Sequence, residues 1–193
     1  MLAYAVVHPA AASADWFITP FLGIKFASST SLVDLEQGAS NPKMTLGVSA
    51  TILSDRILGI EGELGYYPRF FERSGGSGLI ARSNVTTLFG TVVFAVPRAI
   101  TRDSLRPYAL AGVGLIHAGI DDSLGLLPVD TNLVGLGIGG GALGRLTNRT
   151  SVRFEVRHIR NLAPANENVP DFGTTRIKYW RATVGVALHG NLF

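Results

Sequence analysis

The chain has 193 residues, the length of one domain, and hydrophobic residues make up 47% of it, whereas charged residues reach only 16%, against about 25% in a typical soluble domain. It contains no cysteine, which excludes a disulfide framework and a thiolate metal site. The net charge of +3 comes without the basic, aromatic-rich patch that nucleic-acid binding requires, so no nucleic-acid partner is expected.

The first segment has the character of an export signal. Residues 1–14 contain no Lys, Arg, Asp or Glu, and they end in Ala12-Ser13-Ala14, which has the A-x-A form of a signal-peptide cleavage site. Because the basic start of a signal peptide is missing, we interpret residues 1–14 as the remnant of an export signal and residues 15–193 as one domain. The alternative is an Ala-rich terminus without structure.

Eight extended segments follow, rich in β-branched and aromatic residues and bounded by turn residues. We predict strands at residues 15–26, 43–55, 57–70, 83–97, 106–118, 131–146, 150–160 and 177–193. No uncharged run reaches the roughly 18 residues of a membrane helix. The connectors alternate between long and short, as in transmembrane barrels. The predicted fold is an all-β, eight-stranded, antiparallel up-and-down transmembrane β-barrel.

The seventh segment shows the two faces of such a strand most clearly. Arg153, Glu155 and Arg157 alternate with apolar residues, and successive side chains of a strand point to opposite faces. In a soluble protein the charged face would meet water. In a membrane barrel it must face the lumen, because an Arg or Lys facing mid-bilayer lipid costs about 2–4 kcal/mol.

A glycine stripe in the sixth segment favours the membrane barrel. Gly135, Gly137, Gly139 and Gly141 alternate with aliphatic residues, and four such glycines would weaken a solvent-exposed face without gain. Facing the lumen, they leave room for the charges of the seventh segment. We therefore predict an internal charge network that closes the lumen. Its members are Glu61, Glu63, Arg153, Glu155, Arg157 and Arg181, the last lying higher in the barrel.

Other features concern the membrane surface. Aromatic residues near predicted strand ends are expected in interfacial girdles, with a place in the core as the alternative for each of them. These residues are Trp16, Tyr66, Tyr67, Tyr108, Tyr179 and Trp180. Arginine binds phosphate in a bidentate manner, and five arginines near the predicted outer rim are candidates for lipopolysaccharide contact; the alternative is a solvated loop face. They are Arg69, Arg73, Arg82, Arg160 and Arg176. The fourth and fifth segments are apolar on both faces, and their orientation stays open.

Little in the chain points to cofactor or metal chemistry. Residues 135–140 match G-x-G-x-x-G, but no strand-to-helix turn follows, so a nucleotide site is not expected. The four histidines lack the spacing of metal ligands. We expect no cofactor and no metal.

Several motifs together resemble the small outer-membrane β-barrel family of OmpA/OmpX type, over nearly all of residues 15–193. They are residues 15–23, 106–108, 112–114, 139–141 and 152–157 and the final Phe193. The resemblance implies a bacterial outer-membrane location and insertion by the barrel-assembly machinery, which recognises a C-terminal strand ending in an aromatic residue. The corresponding residues are Trp180, Val184, Val186, Leu188 and Phe193. Phe193 has the parity of the polar face, and a bulge near Gly190 would turn it toward lipid.

The resemblance leaves several functions open. We expect a monomer without enzymatic activity that has a structural or surface-interaction role, with membrane lipid and lipopolysaccharide as partners. The alternatives are a narrow passive pore, a soluble ligand-binding barrel and a lipid A deacylase. Deacylase barrels carry a His-x-Ser-Asn element, which residues 158–161 resemble; Arg160 stands at the serine position, so the nucleophile is absent.

Overall fold

Eight antiparallel strands close into a barrel in the computed structural model, which describes residues 14–30, 43–68, 80–101, 105–122, 129–162 and 177–190. The strands are β1 (Ala14–Thr30), β2 (Lys43–Ser54), β3 (Leu58–Pro68), β4 (Ile80–Ala95), β5 (Leu105–Asp122), β6 (Val129–Arg145), β7 (Thr150–Asn161) and β8 (Ile177–Gly190). Each pairs with its sequence neighbours, and β8 pairs with β1 to close the ring. The predicted fold class is confirmed.

Short connections gather at one end of the barrel, which we call the turn end. They are residues 55–57 and 146–149, together with the segment between β4 and β5 that contains the four-residue helix α1 (Arg98–Thr101). The described ends of β1 and β8 also lie there, since Trp16 pairs with Gly190. The connections at the opposite end, the loop end, lie outside the described residues. No helix in the described part of the chain is long and apolar enough to span a membrane.

Hydrogen bonds and ion pairs made by two arginines hold the turn end together. The Arg106 Nε donates to the Val96 carbonyl at 2.8 Å, and its Nη2 donates to the Ser54 carbonyl at 2.7 Å. Arg98 pairs with Asp15 and with Asp55. These contacts tie the connection between β2 and β3 to the one between β4 and β5, so the turn end has a fixed shape.

The two faces of each strand differ as a membrane barrel requires. On β3, Leu58, Ile60 and Leu64 are exposed on the outer wall, whereas Glu61 and Glu63 between them are buried in the lumen. On β7, Phe154 and Val156 are exposed and the alternating charged residues are buried. The outer wall is therefore apolar and the charges lie inside, the reverse of a soluble barrel.

The structure assigns the faces that the sequence left open. Val85, Phe89 and Val93 of β4 point into the lumen, while Leu88 and Val92 face outward. On β5, the inward residues share the parity of Leu110 and Ile116, and the outward ones that of Val113 and Leu115. Both faces of these strands are apolar because the lumen itself contains apolar layers, so hydrophobicity alone could not distinguish them.

The lumen contains two apolar clusters. The cluster at the loop end consists of Tyr67, Val85, Phe89, Ile116, Ala118, Ile159, Ile177 and Tyr179. The cluster at the turn end consists of Phe17, Leu53, Val93, Ala95, Tyr108, Leu110, Leu143 and Ala187. Large apolar side chains thus fill the interior above and below its middle.

The prediction of an interfacial girdle is wrong for three residues. Tyr67, Tyr108 and Tyr179 are buried in the lumen, because their positions have inward parity and the hydroxyls of Tyr67 and Tyr108 accept hydrogen bonds from lumen arginines. Tyr66 and Trp180 do lie exposed on the outer wall. Trp16, with the outward parity of Ile18, is half-buried.

Candidate functional site

The six charged residues predicted for the lumen form one buried cluster midway along the barrel. This charge cluster consists of Glu61, Glu63, Arg153, Glu155, Arg157 and Arg181. Three carboxylates face three guanidinium groups, so the formal charges cancel. The side chains come from β3, β7 and β8, and the inward positions of each strand bring them to the middle of the lumen.

Arg157 lies at the centre of the charge cluster and is fully buried. Its Nη2 lies 2.9 Å from Glu61 Oε1, 2.9 Å from Glu155 Oε1 and 3.2 Å from Glu63 Oε2. Its Nε donates a further hydrogen bond to Glu155 Oε1 at 2.9 Å. One guanidinium therefore contacts all three carboxylates.

Arg181 joins the same layer through a bidentate pair with Glu63. Its Nη1 and Nη2 lie 2.6 and 2.7 Å from the two Glu63 carboxylate oxygens. Nη2 also donates to Glu155 at 3.1 Å, and Nη1 donates to the Tyr67 hydroxyl at 3.2 Å. The sequence placed Arg181 higher than the other charges, but Arg181 is the ladder partner of Arg157, so these two arginines lie side by side.

Arg153 connects the charge cluster to side chains that the sequence analysis missed. It pairs with Glu61 and Glu155, and its Nε donates to the Tyr108 hydroxyl at 2.6 Å. That hydroxyl donates to Glu155 Oε2 at 3.1 Å, and Thr51 donates to Glu61 Oε2 at 2.8 Å. Inward parity could have identified Thr51. Tyr108 lies on a strand whose faces the sequence did not distinguish.

Mutual pairing explains how six charges tolerate burial. Taking a charge out of water is costly, and the cost is offset only when opposite charges and hydrogen bonds surround it. Glu61, Glu63 and Glu155 each contact at least two guanidinium groups. The charge cluster is therefore stable as a set, and removing one member leaves the others incompletely paired.

The glycine stripe of β6 leaves space in the lumen, as its pattern predicted. Gly139 pairs with Arg157 across the ladder, and Gly141 pairs with Glu155. A Cβ atom at Gly141 would lie 2.6 Å from the Tyr108 hydroxyl, and one at Gly135 would lie 3.1 Å from the Phe89 ring. The stripe therefore accommodates aromatic rings as well as charges.

Substituting Gly141→Ala is expected to lower the free energy of unfolding by about 1–3 kcal/mol, because the new methyl group would overlap the Phe154 carbonyl oxygen and lie 2.6 Å from the Tyr108 hydroxyl, so that both the neighbouring strand and the Tyr108–Glu155 contact must shift. Gly62→Ala is the matched control, since a Cβ there meets no atom within 4 Å. Urea unfolding of the folded barrel in lipid vesicles measures both. Equal stabilities of the two variants would contradict the packing argument.

The structure gives a partial view of the predicted rim and insertion residues. Arg160 lies exposed on the outer wall at the loop end. Arg82 belongs to β4, but its side chain lies outside the described residues, as do Arg69, Arg73 and Arg176 altogether. Of the predicted insertion residues, Trp180, Val184, Val186 and Leu188 face outward. Phe193 lies outside the described residues.

The described histidines make separate contacts. His189 Nε2 lies 2.8 Å from Ser151 Oγ at the turn end, and His117 Nδ1 lies 3.0 Å from Asn132 Oδ1 on the outer wall. The His158 ring packs against Trp180 with a centroid separation of 5.0 Å. Among the residues that the structure describes, no three His, Asp or Glu side chains come together as metal ligands would.

Comparison with solved structures finds other small barrels. Neisserial surface protein A superposes with a TM-score of 0.63 at 18% identity, covering 91% of this chain and 97% of that one. OprG from Pseudomonas aeruginosa gives 0.58 at 15% identity, with 93% and 97% coverage. Ail of Yersinia pestis gives 0.51 at 14% identity, with 92% and 99% coverage. With sequence identities this low, the structural similarity shows a shared fold and nothing more.

The sequence itself gives the family. A comparison with curated proteins finds no match. The family model described as "Outer membrane protein beta-barrel domain" matches residues 1–189, nearly the whole chain. The described strands close into an eight-stranded ring with an apolar outer wall and charges inside, as in transmembrane β-barrels. The chain therefore belongs to the outer membrane protein β-barrel domain family and is a protein of the bacterial outer membrane.

Proposed function

We propose that this protein is a barrel with a closed lumen and a structural or surface-interaction role in the outer membrane. One observation carries the proposal: the charge cluster lies between two apolar clusters, so that side chains block the described interior at three successive levels. Pores of this architecture keep a wide, water-filled polar lumen. An eight-stranded barrel is just wide enough for side chains to fill.

The depth of burial argues against the alternative of a narrow pore. Arg157 and Tyr179 are each 0% exposed, and Arg181 is 1% exposed. A continuous water path would leave such lumen side chains partly accessible. We therefore infer that solutes do not pass through the resting barrel.

The outer wall argues against the lipid A deacylase alternative. His158 packs against Trp180, and the position two residues further along the same face is Arg160 rather than the serine that a nucleophile requires. We propose that the protein has no such activity. Lipid A from cells that express it should keep all its acyl chains, as mass spectrometry would measure.

A surface role fits the architecture of the loop end. The connections between β1 and β2 and between β7 and β8 are long, and outer-membrane barrels carry their long loops outside the cell. A structural neighbour, Ail, was solved in complex with the heparin analogue sucrose octasulfate. We propose lipopolysaccharide as a partner at this end, the barrel-assembly machinery as the partner during insertion, and a monomer as the working form.

The folded protein in planar lipid bilayers is expected to give no stable conductance steps, because the charge cluster and the apolar clusters occupy the lumen. Single-channel recording measures this. The sample must show the gel-mobility difference between boiled and unboiled protein that marks a folded barrel. Regular steps from such a sample would contradict the closed lumen and favour the pore.

A further inference from the structure

Two cationic side chains face each other on the outer wall at the loop end. Arg160 of β7 pairs directly with Lys178 of β8 across the ladder, and both are exposed with outward parity. Like charges that lie directly opposite on paired strands destabilise the pair. The arrangement therefore costs stability unless a negative charge binds between them.

The described residues supply no such negative charge. None of the ion pairs among the described residues includes Arg160 or Lys178. Every arginine of the charge cluster, by contrast, contacts carboxylates. The inward arginines of β7 and β8 are thus paired with carboxylates, whereas the outward Arg160 and Lys178 have no carboxylate partner among the described residues.

The strand ladder fixes the backbone positions of both cations. Ile159, Ile177 and Tyr179, their inward neighbours along the chain, are buried in the apolar cluster at the loop end. The Ile177 amide also donates to the Asn161 side-chain oxygen at 2.9 Å, which joins the ends of the two strands. The pair is therefore a preorganised feature of the barrel wall.

Two aromatic side chains, which we call the His158–Trp180 step, lie directly beneath the two cations on the outer wall. His158 pairs with Trp180 across the ladder, and their rings are 5.0 Å apart; Trp180 pairs on its other side with Phe26 of β1. Such aromatic residues mark the boundary between acyl chains and headgroups. Below them, Phe154 and Val184 continue the apolar wall.

The height of the cations matches the depth of lipid phosphates. Ten residues separate Lys178 from Leu188, the last exposed apolar residue of β8. At ~3.3 Å per residue and a tilt near 40°, this is about 25 Å, the height of the apolar band of outer-membrane barrels. Arg160 and Lys178 therefore lie at the outer edge of the band.

We propose that Arg160 and Lys178 form a binding site for the phosphate of a phosphorylated glycolipid of lipid A type, with its sugar over the His158–Trp180 step and its acyl chains along Phe154 and Val184. The proposal rests on the surface role proposed above and gives it a defined place on the wall. The guanidinium binds two phosphate oxygens, the ammonium adds a second positive charge, and the repulsion between the two cations is relieved.

Native mass spectrometry of the full chain in a neutral detergent, titrated with lipid A, tests the site. Wild type should retain one lipid A molecule, and the double variant R160Q/K178Q should bind it at least about tenfold more weakly. The matched control is R56Q/R149Q, which removes the same charge from exposed positions at the turn end and should bind as wild type. Lipid A without its phosphates should bind wild type as weakly as it binds R160Q/K178Q.

Three results would overturn the site. They are undiminished lipid A binding by R160Q/K178Q, an equal loss in R56Q/R149Q, or displacement of lipid A by inorganic phosphate at equal concentration, which would indicate a free-anion site. All variants must keep the gel-mobility shift of a folded barrel. Conductance is measured separately, so failure of this site and failure of the closed lumen remain distinguishable.

Discussion

The variant Glu155→Gln is expected to lose about 3–5 kcal/mol of unfolding free energy, the usual effect of breaking a buried ion pair. Glu155 contacts Arg153, Arg157 and Arg181, and it accepts a hydrogen bond from Tyr108. The amide keeps the shape of the side chain but removes its charge. Three guanidinium groups then share two carboxylates, and their burial keeps bulk solvent from compensating the lost charge.

Asp55→Asn is the matched control for this substitution. Asp55 pairs with Arg98 at 3.0 Å, but its side chain is 40% exposed, so water screens the pair and the expected loss is below about 1 kcal/mol. Equilibrium unfolding in urea, followed by tryptophan fluorescence in lipid vesicles, measures both variants. A loss for Glu155→Gln no greater than for Asp55→Asn would contradict the stabilising role of the charge cluster. The double variant E61Q/E63Q should likewise unfold more readily than wild type.

The variant Val184→Arg is expected to cost about 2–4 kcal/mol, because it places a charge against mid-bilayer lipid. Val184 is exposed on the outer wall, pairs with Phe154 and Leu22, and lies between Leu188 near the turn end and Lys178 at the loop end. In a soluble barrel the same position would face water, and arginine there would be nearly neutral.

Leu188→Arg is the matched control, because it introduces an arginine on the same strand and face at a different depth in the bilayer. Leu188 lies on the same strand and face, near the edge of the apolar band, where an arginine costs about 0–1 kcal/mol. The depth dependence, measured by urea unfolding in vesicles, is the diagnostic quantity. Equal losses at the two positions would mean that the outer wall does not contact a bilayer as we describe.

Much of this architecture is visible in the alternation of residues along single strands. Arg153, Glu155 and Arg157 share one face of β7, because strand geometry has a period of two residues. Since the composition excludes a spanning helix and disfavours a soluble surface, that face had to point inward. The eight strand positions and the fold class followed from the same local signals.

The errors arose where both faces of a strand are apolar or where a residue has two plausible environments. Tyr67, Tyr108 and Tyr179 lie near strand ends, which is also where interfacial girdles form, and only the closed lumen shows that they are inside. The Tyr67 and Tyr108 hydroxyls accept hydrogen bonds from Arg181 and Arg153 there, and the Tyr67 and Tyr179 rings pack edge to face with centroids 5.5 Å apart. Strand-end position alone does not contain this information.

Local sequence settled which residues belong to strands and which charges must avoid lipid, because both depend on neighbours one or two positions away. The register around the ring decided which charges meet. Arg157 of β7 contacts Glu61 and Glu63 of β3, although these strands are not ladder neighbours and lie about a hundred residues apart in the chain. Such contacts exist only because closing the barrel brings opposite walls within side-chain reach.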